Sequence, residues 1–407
     1  MPADSSGQGK RPAIPRTVWV LGFVSLLMDV SSEMIHAVLP LFMVGTLGAS
    51  ALWVGLVEGA GEGIALITKV FSGVIADKFG HRKWLVFAGY GLGVISKPLF
   101  PLATSMPLVL VARLSDRIGK GLRGAPRDAI IADVTPKKIL GAAYGLRQSL
   151  DSAGAFIGPL IATLLLLYVT SDFRLIFWVA LIPGILCLLL IIFGVEEKAA
   201  DSGHVRPAPR PLRDFLSFKS AAFRSLLLLG VLFSLARFSN AFIVLRAGDC
   251  GVPTALIPMA MVGMNLVFSF SSYPFGKLAD HIEPLKLLGL GLIFLIASDA
   301  AFAASTSPWG IAAGITLWGL HLGASQGIMS FLVAKIAPAD RRATAFGVYN
   351  FFTGLAMLAA GLIAGVLWDK FGASASFIGG AVFAALSLAM LVFSPVGSAA
   401  RKSGNLS

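Results

Sequence analysis

Charged side chains are scarce in this sequence: Asp, Glu, Lys and Arg make up only 13% of 407 residues. Soluble domains carry about 25%, and so thin a supply cannot cover a water-exposed surface of this size. Cysteine is rarer still. Cys187 and Cys250 are the only two, which excludes a disulfide framework. GKGLRG at 119–124 lacks the G-x-x-x-x-G-K-[ST] spacing and follows no strand pattern, which excludes a phosphate loop. Met259, Met261 and Met264 stand beside Asn265 with no cysteine or histidine cluster, so they read as core packing rather than a soft-metal site. The expectation is a protein without cofactor or metal, and not an enzyme.

Apolar residues supply what is missing elsewhere: 56% of the chain, with a mean hydropathy of +0.83. The runs are long and unbroken, which argues for membrane-spanning helices rather than the short alternating segments of a β-barrel. Twelve spans are expected, at 17–47, 52–77, 84–104, 107–135, 139–169, 174–195, 221–247, 253–279, 285–305, 308–336, 342–368 and 373–394. The first run is too long for a cleaved leader. The polar, Pro-containing stretch 196–220 divides the chain. The expected organisation is a tail 1–16, a six-helix bundle 17–195, a central loop 196–220, a second bundle 221–394 and a tail 395–407.

A net charge of +12 would suggest nucleic acid in a soluble protein. Here the charge follows topology instead. Lys10, Arg11, Arg16, Lys78, Arg82, Lys83, Lys137, Lys138, Arg341 and Arg342 all fall on the side of the termini, whereas the opposite side has Arg174, Arg246 and Lys370. The positive-inside rule then places both termini in the cytoplasm of a multi-pass protein surrounded by lipid.

The two halves are copies. Residues 131–162 align without gaps to 333–364, matching Pro136 to Pro338, Ala143 to Ala345 and Gly145 to Gly347. Gly73, Ala76 and Asp77 recur as Gly276, Ala279 and Asp280. Two parallel six-helix repeats are a transporter architecture, with the binding site between them.

Span 4 departs from this apolar plan. At 3.6 residues per turn, Arg113, Asp116, Arg117, Lys120, Arg123, Arg127 and Asp128 lie within an arc of about 140°. A charge facing the bilayer centre costs at least about 2.5–3.5 kcal/mol, so this stripe must line a polar passage. The repeat acts as a control: span 10 has Ile315, Trp318, Gly319, Leu322, Ser325, Met329 and Ser330 at the corresponding positions. The bundle can therefore be built without the charges.

GVIADKFGHRKWL at 73–85 is similar to the signature between spans 2 and 3 of the major facilitator superfamily. Its carriers here are Gly73, Asp77, Gly80, Arg82 and Lys83, with a weaker copy at GKLADHIEPLK that includes Asp280. Arg113 resembles the family's span-4 arginine, and GAFIGP at 154–159 partly resembles the span-5 motif of antiporters. DVSSEM, DRIGKGLRGAPRDA and LRQSLDSAGAFIGP resemble a prokaryotic branch grouped with multidrug and tetracycline-type exporters. The resemblance implies an all-α fold of two pseudo-symmetric six-helix bundles in a bacterial inner membrane. It also implies alternating access driven by an ion gradient, with protons as the coupling ion and export favoured.

The candidate roles follow. Arg113, Arg117, Lys120, Arg123 and Arg127 would bind an anionic group of a small-molecule substrate. Asp29, Glu33, Glu62 and Asp151 would couple protons, because intramembrane acids beside bases can trade partners as access alternates. Gly73, Asp77, Gly80, Arg82, Lys83 and Asp280 would form the conformational gate. His321 reads as a hydrogen-bonded core histidine or a proton site. A monomer is expected. Two alternatives stand: efflux of a neutral or cationic drug or a metalloid toxicant, and a non-transporting receptor or lipid-handling protein.

Overall fold

The computed structural model describes residues 13–79, 82–195, 220–279, 281–337 and 341–393, with backbone alone for 73–79 and 343. Tail residues 1–12 and 394–407, central-loop residues 196–219, and the gate-motif residues Gly80 and Asp280 lie outside that set.

Twelve helical segments traverse the described residues. They are α1 (Arg16–His36), α2 (Ala51–Phe79), α3 (Arg82–Ser96), α4 (Met106–Val134), α5 (Leu140–Tyr168) and α6 (Phe173–Gly194), then α7a and α7b (Ala221–Ala236, Ala241–Asp249), α8 (Met259–Ala279) and α9 (Pro284–Ala304), then α10a and α10b (Pro308–Ser325, Ile328–Ile336), α11 (Arg342–Phe371) and α12 (Ala373–Phe393). Ten have the length and apolar composition to cross a membrane by themselves. The other two have visible reasons: α3 is only 15 residues long, and α4 holds the charge stripe. Successive helices reverse direction, so the described starts of the two halves share one face, called here the terminal face; the opposite one is the far face.

Three spans expected to be continuous are interrupted. After α1 the chain turns at Ala37 and resumes as short helical pieces, Leu39–Leu41 with its Pro40 and then Phe42–Thr46. Span 7 breaks at Arg237, where the backbone leaves helical values (φ −103°, ψ 69°), and Asn240 begins α7b. Span 10 breaks at Gly327, whose φ of +81° suits a residue without a Cβ. Irregular backbone at membrane depth is tolerated where it lines a cavity or is buried in protein. Pro126, by contrast, stays within α4.

Within the first half, α1 packs on α5 and α6, and α4 on α2 and α3; within the second, α9 and α10a pair, flanked by α8 and α12. The halves meet along two seams, α2 with α11 and α5 with α8. The α2–α11 seam is close enough to require glycine. A Cβ on Gly55 would lie 2.0 Å from the carbonyl oxygen of Gly361, and one on Gly63 would lie 2.6 Å from that of Gly354. Small residues allow such backbone approach between helices in lipid.

Candidate functional site

Two connected chambers occupy the space between the halves. The first, of ≈ 270 Å³, is bounded by α1, α2 and α4 on one side and by Arg237, Phe238, Ser239, Met261, Trp318 and Met357 on the other. The second, of ≈ 410 Å³, lies toward the terminal face and includes Asp29, Lys69, Arg123, Arg127 and Asp151. Glu33, Glu62 and Lys120 line both.

The stripe on α4 meets acids presented at the same spacing by α2. These helices run parallel, and Glu58/Glu62 stand in register with Arg113/Arg117, each pair four residues apart and so on one helix face. Arg113 Nη2 donates to Glu58 Oε2 at 2.5 Å, and Arg117 Nη2 forms an ion pair with Glu62 Oε1 at 3.0 Å. His36, at the end of α1, bonds Arg113 and lies 3.5 Å from Glu33 and 3.7 Å from Asp116. Lys97 is buried behind them, donating to Ser32 Oγ at 3.1 Å and lying 3.8 Å from Asp116. Buried charges on every side of His36 are thus matched, as burial demands.

Toward the terminal face the pairing thins. Arg127 donates to Ser25 Oγ at 2.8 Å and to the Tyr90 hydroxyl at 3.3 Å, and Arg123 stacks over the Tyr90 ring at 4.5 Å with one guanidinium nitrogen unbonded. Arg147 pairs with Asp151 at 2.7 Å. Lys120 is exposed into the chambers and, among the described residues, makes no hydrogen bond or ion pair. Asp29 likewise has none. Together the chambers present seven basic side chains (Lys69, Arg113, Arg117, Lys120, Arg123, Arg127, Arg237) against five acidic ones (Asp29, Glu33, Glu58, Glu62, Asp151).

The five basic and four acidic candidates from the sequence all come together here. The gate residues lie apart, at the terminal face. Arg82 bonds Asp133 at the end of α4, and Lys83 Nζ donates to the Ile192 carbonyl of α6 at 3.2 Å. Gly73 and Asp77 belong to the last turns of α2. His321 is buried, its Nδ1 donating to the Gly291 carbonyl at 2.8 Å, as a core histidine would. Among the described residues no cluster of His, Cys, Asp and Glu has the makings of a metal site.

Two groups were not assigned from sequence. The first is the wall from the second half: Arg237, Phe238 and Ser239 at the span-7 break, with Trp318 and Met357. Ser239 Oγ reaches across to Glu58 Oε2 at 3.2 Å, joining the halves. An arginine in an apolar span was the one available signal. The second is Asp369 near the end of α11. Its carboxylate accepts from the backbone N–H groups of Ala51 and Leu52, each at 2.9 Å, capping α2 from the other half and closing the far face.

Two gapped bundles with a charged cavity between them define a membrane transporter. The Major Facilitator Superfamily model matches residues 21–358 and 226–405, and the chain belongs to that family. It is 33% identical over 393 residues to an uncharacterised MFS-type transporter of Methanocaldococcus jannaschii, covering 93% of this chain and 95% of that one. It is 22% identical over 359 residues to the quinolone resistance protein NorA of Staphylococcus aureus, covering 87% and 90%. Among solved structures, a POT family transporter in complex with 5-aminolevulinic acid superposes with a TM-score of 0.79 at 16% identity, covering 94% of this chain and 96% of that one.

Proposed function

We propose that this family member exports a small solute bearing an anionic group by alternating access, driven by protons. The observation that carries the reading is Lys120: a cation exposed to both chambers, unpaired, beside neighbours whose charges are mostly met. The excess of basic over acidic lining supports an anion as the missing partner. Arg123 and Arg127 extend the basic surface toward the terminal face, while Arg113 and Arg117, held by Glu58 and Glu62, shape the chamber and release charge when the halves rock.

Proton coupling is supported by the acids. Asp29 makes no hydrogen bond or ion pair among the described residues, and Glu33, Glu62 and Asp151 are each paired with a base. Export on a proton gradient requires the two loads to alternate, the acids carrying protons inward in the half-cycle without substrate and releasing them before the anion binds. Arg82, Lys83, Asp77 and Gly73, together with Gly80 and Asp280, would latch the terminal face in the opposite state. The basic loops support cytoplasmic termini, and the likeness to a resistance protein supports export from a bacterial inner membrane, by a monomer. The aromatic and methionine wall of Phe238, Met261, Trp318 and Met357 favours a second reading, efflux of a neutral or cationic drug.

The test is flux in proteoliposomes under an imposed pH gradient, with a panel of organic anions and drugs. An anion should move opposite to the imposed proton flow, and Lys120→Ala should reduce that movement at least about tenfold, the scale of a lost charged hydrogen bond. Gradient-driven flux of cations alone, unchanged in Lys120→Ala, would establish the second reading instead.

A further inference from the structure

The second chamber is not closed at its side. It shares Gln148, Ser152, Phe268 and Ser269 with a groove of ≈ 1100 Å³ between α5 and α8. The groove is apolar where the chamber is charged, its wall built from Phe156, Ile157, Leu266, Phe268, Phe270 and Phe275. At its inner limit the seam is pinned by Asn265, whose side-chain amide donates to the Ala155 carbonyl at 3.0 Å. At its outer limit Leu266 and Phe270 are 44% and 75% exposed on a helix long and apolar enough to cross a membrane. The groove therefore adjoins the charged chamber through shared walls and reaches the exposed side of α8.

We infer that the solute is an anionic amphiphile with a single apolar tail, its head at Lys120 and Arg123 and its tail in the α5–α8 groove, reached from the bilayer. This rests on the anion reading of the same chambers. The charge of the inner end selects the head. The aromatic rings along the groove are left facing water or stray lipid by a tailless anion, and are covered by a tail. The volume of the groove and its exposed apolar rim make a membrane-resident molecule the fitting occupant, since it need not leave the bilayer to load.

The experiment is calorimetric titration of the full chain in lipid nanodiscs with ethyl phosphate and octyl phosphate, after subtraction of empty discs. Each buried methylene is worth about 0.8 kcal/mol, or roughly fourfold, before competition from the bilayer. Octyl phosphate should bind at least about tenfold more tightly than ethyl phosphate. Phe156→Ala and Phe275→Ala should remove most of that advantage while leaving ethyl phosphate binding unchanged, which also shows that the variants are folded. Lys120→Ala should weaken both ligands. Equal affinity for the two phosphates, or an octyl advantage untouched by the phenylalanine variants, overturns the tail site and leaves the anion site standing. Binding of neither overturns both readings.

Discussion

Glu58 and Lys120 sit in the same chamber and predict opposite consequences when altered. Glu58 is 6% exposed and holds Arg113, itself 1% exposed, so Glu58→Gln leaves a buried guanidinium with His36, a neutral amide and the more distant Glu62, 3.7 Å away. Breaking a buried pair from one side costs about 3–5 kcal/mol. The thermal denaturation midpoint of the purified protein should fall clearly. Lys120 makes no direct hydrogen bond or ion pair among the described residues, only longer-range attraction to Asp29, Glu33 and Glu62, and Lys120→Ala should cost no more than about 1 kcal/mol. If the two variants melt alike, the division between structural and substrate-facing charges is wrong. The acidic and basic residues of this site were legible in sequence because lipid forbids unpaired charge, so each one had to signal a polar interior. Phe238, Trp318 and Met357 were not legible, because an apolar side chain facing a cavity looks the same in sequence as one facing core.

Helices α2 and α11 form the far-face closure, and their contact is tuned by backbone approach and one carboxylate. Asp369→Ala removes the cap from Ala51 and Leu52, a loss of about 1 kcal/mol. Because the bond spans the halves, that loss appears as a shift of about fivefold toward the far-face-open state. Gly361→Ala should act in the same direction more strongly, since a Cβ there would lie 2.2 Å from the Gly55 carbonyl oxygen. Spin-label distances between the far ends of α2 and α11 would report both shifts; unchanged distance distributions would remove the lock from the cycle. The sequence offered no view of Asp369, which meets its partners more than 300 positions away. Most helix boundaries were legible from hydropathy and turn residues. The span-7 break was not, because ARFSN contains neither proline nor glycine, and only the cavity it lines explains it.

For the molecule as a whole, the two faces use basic residues differently. On the far face Arg174 donates to the carbonyls of Pro101 and Ala103, and Arg246 to those of Phe302 and Ser305, so both tie down connections between helices. Lys137 and Lys138, in the turn between α4 and α5 on the terminal face, are exposed and have no such task. Their placement is read as topological, and it predicts that green fluorescent protein fused to the C-terminus fluoresces while alkaline phosphatase fused there is inactive. The converse pattern would invert the orientation. The repeat in the sequence foretold the matched bundles, but not how unlike their inner surfaces are.

That asymmetry bears on how such a protein diversifies. The cross-bonded acids and bases of the first half tolerate little exchange, because altering one member strands its neighbours. Phe238, Met261, Trp318 and Met357 hold no counter-ions and sit beside a helix break, so substitutions there can reshape the recess while the network of ion pairs stays assembled. New cargo preferences would therefore arise on the C-terminal wall, leaving the charged half to be inherited intact.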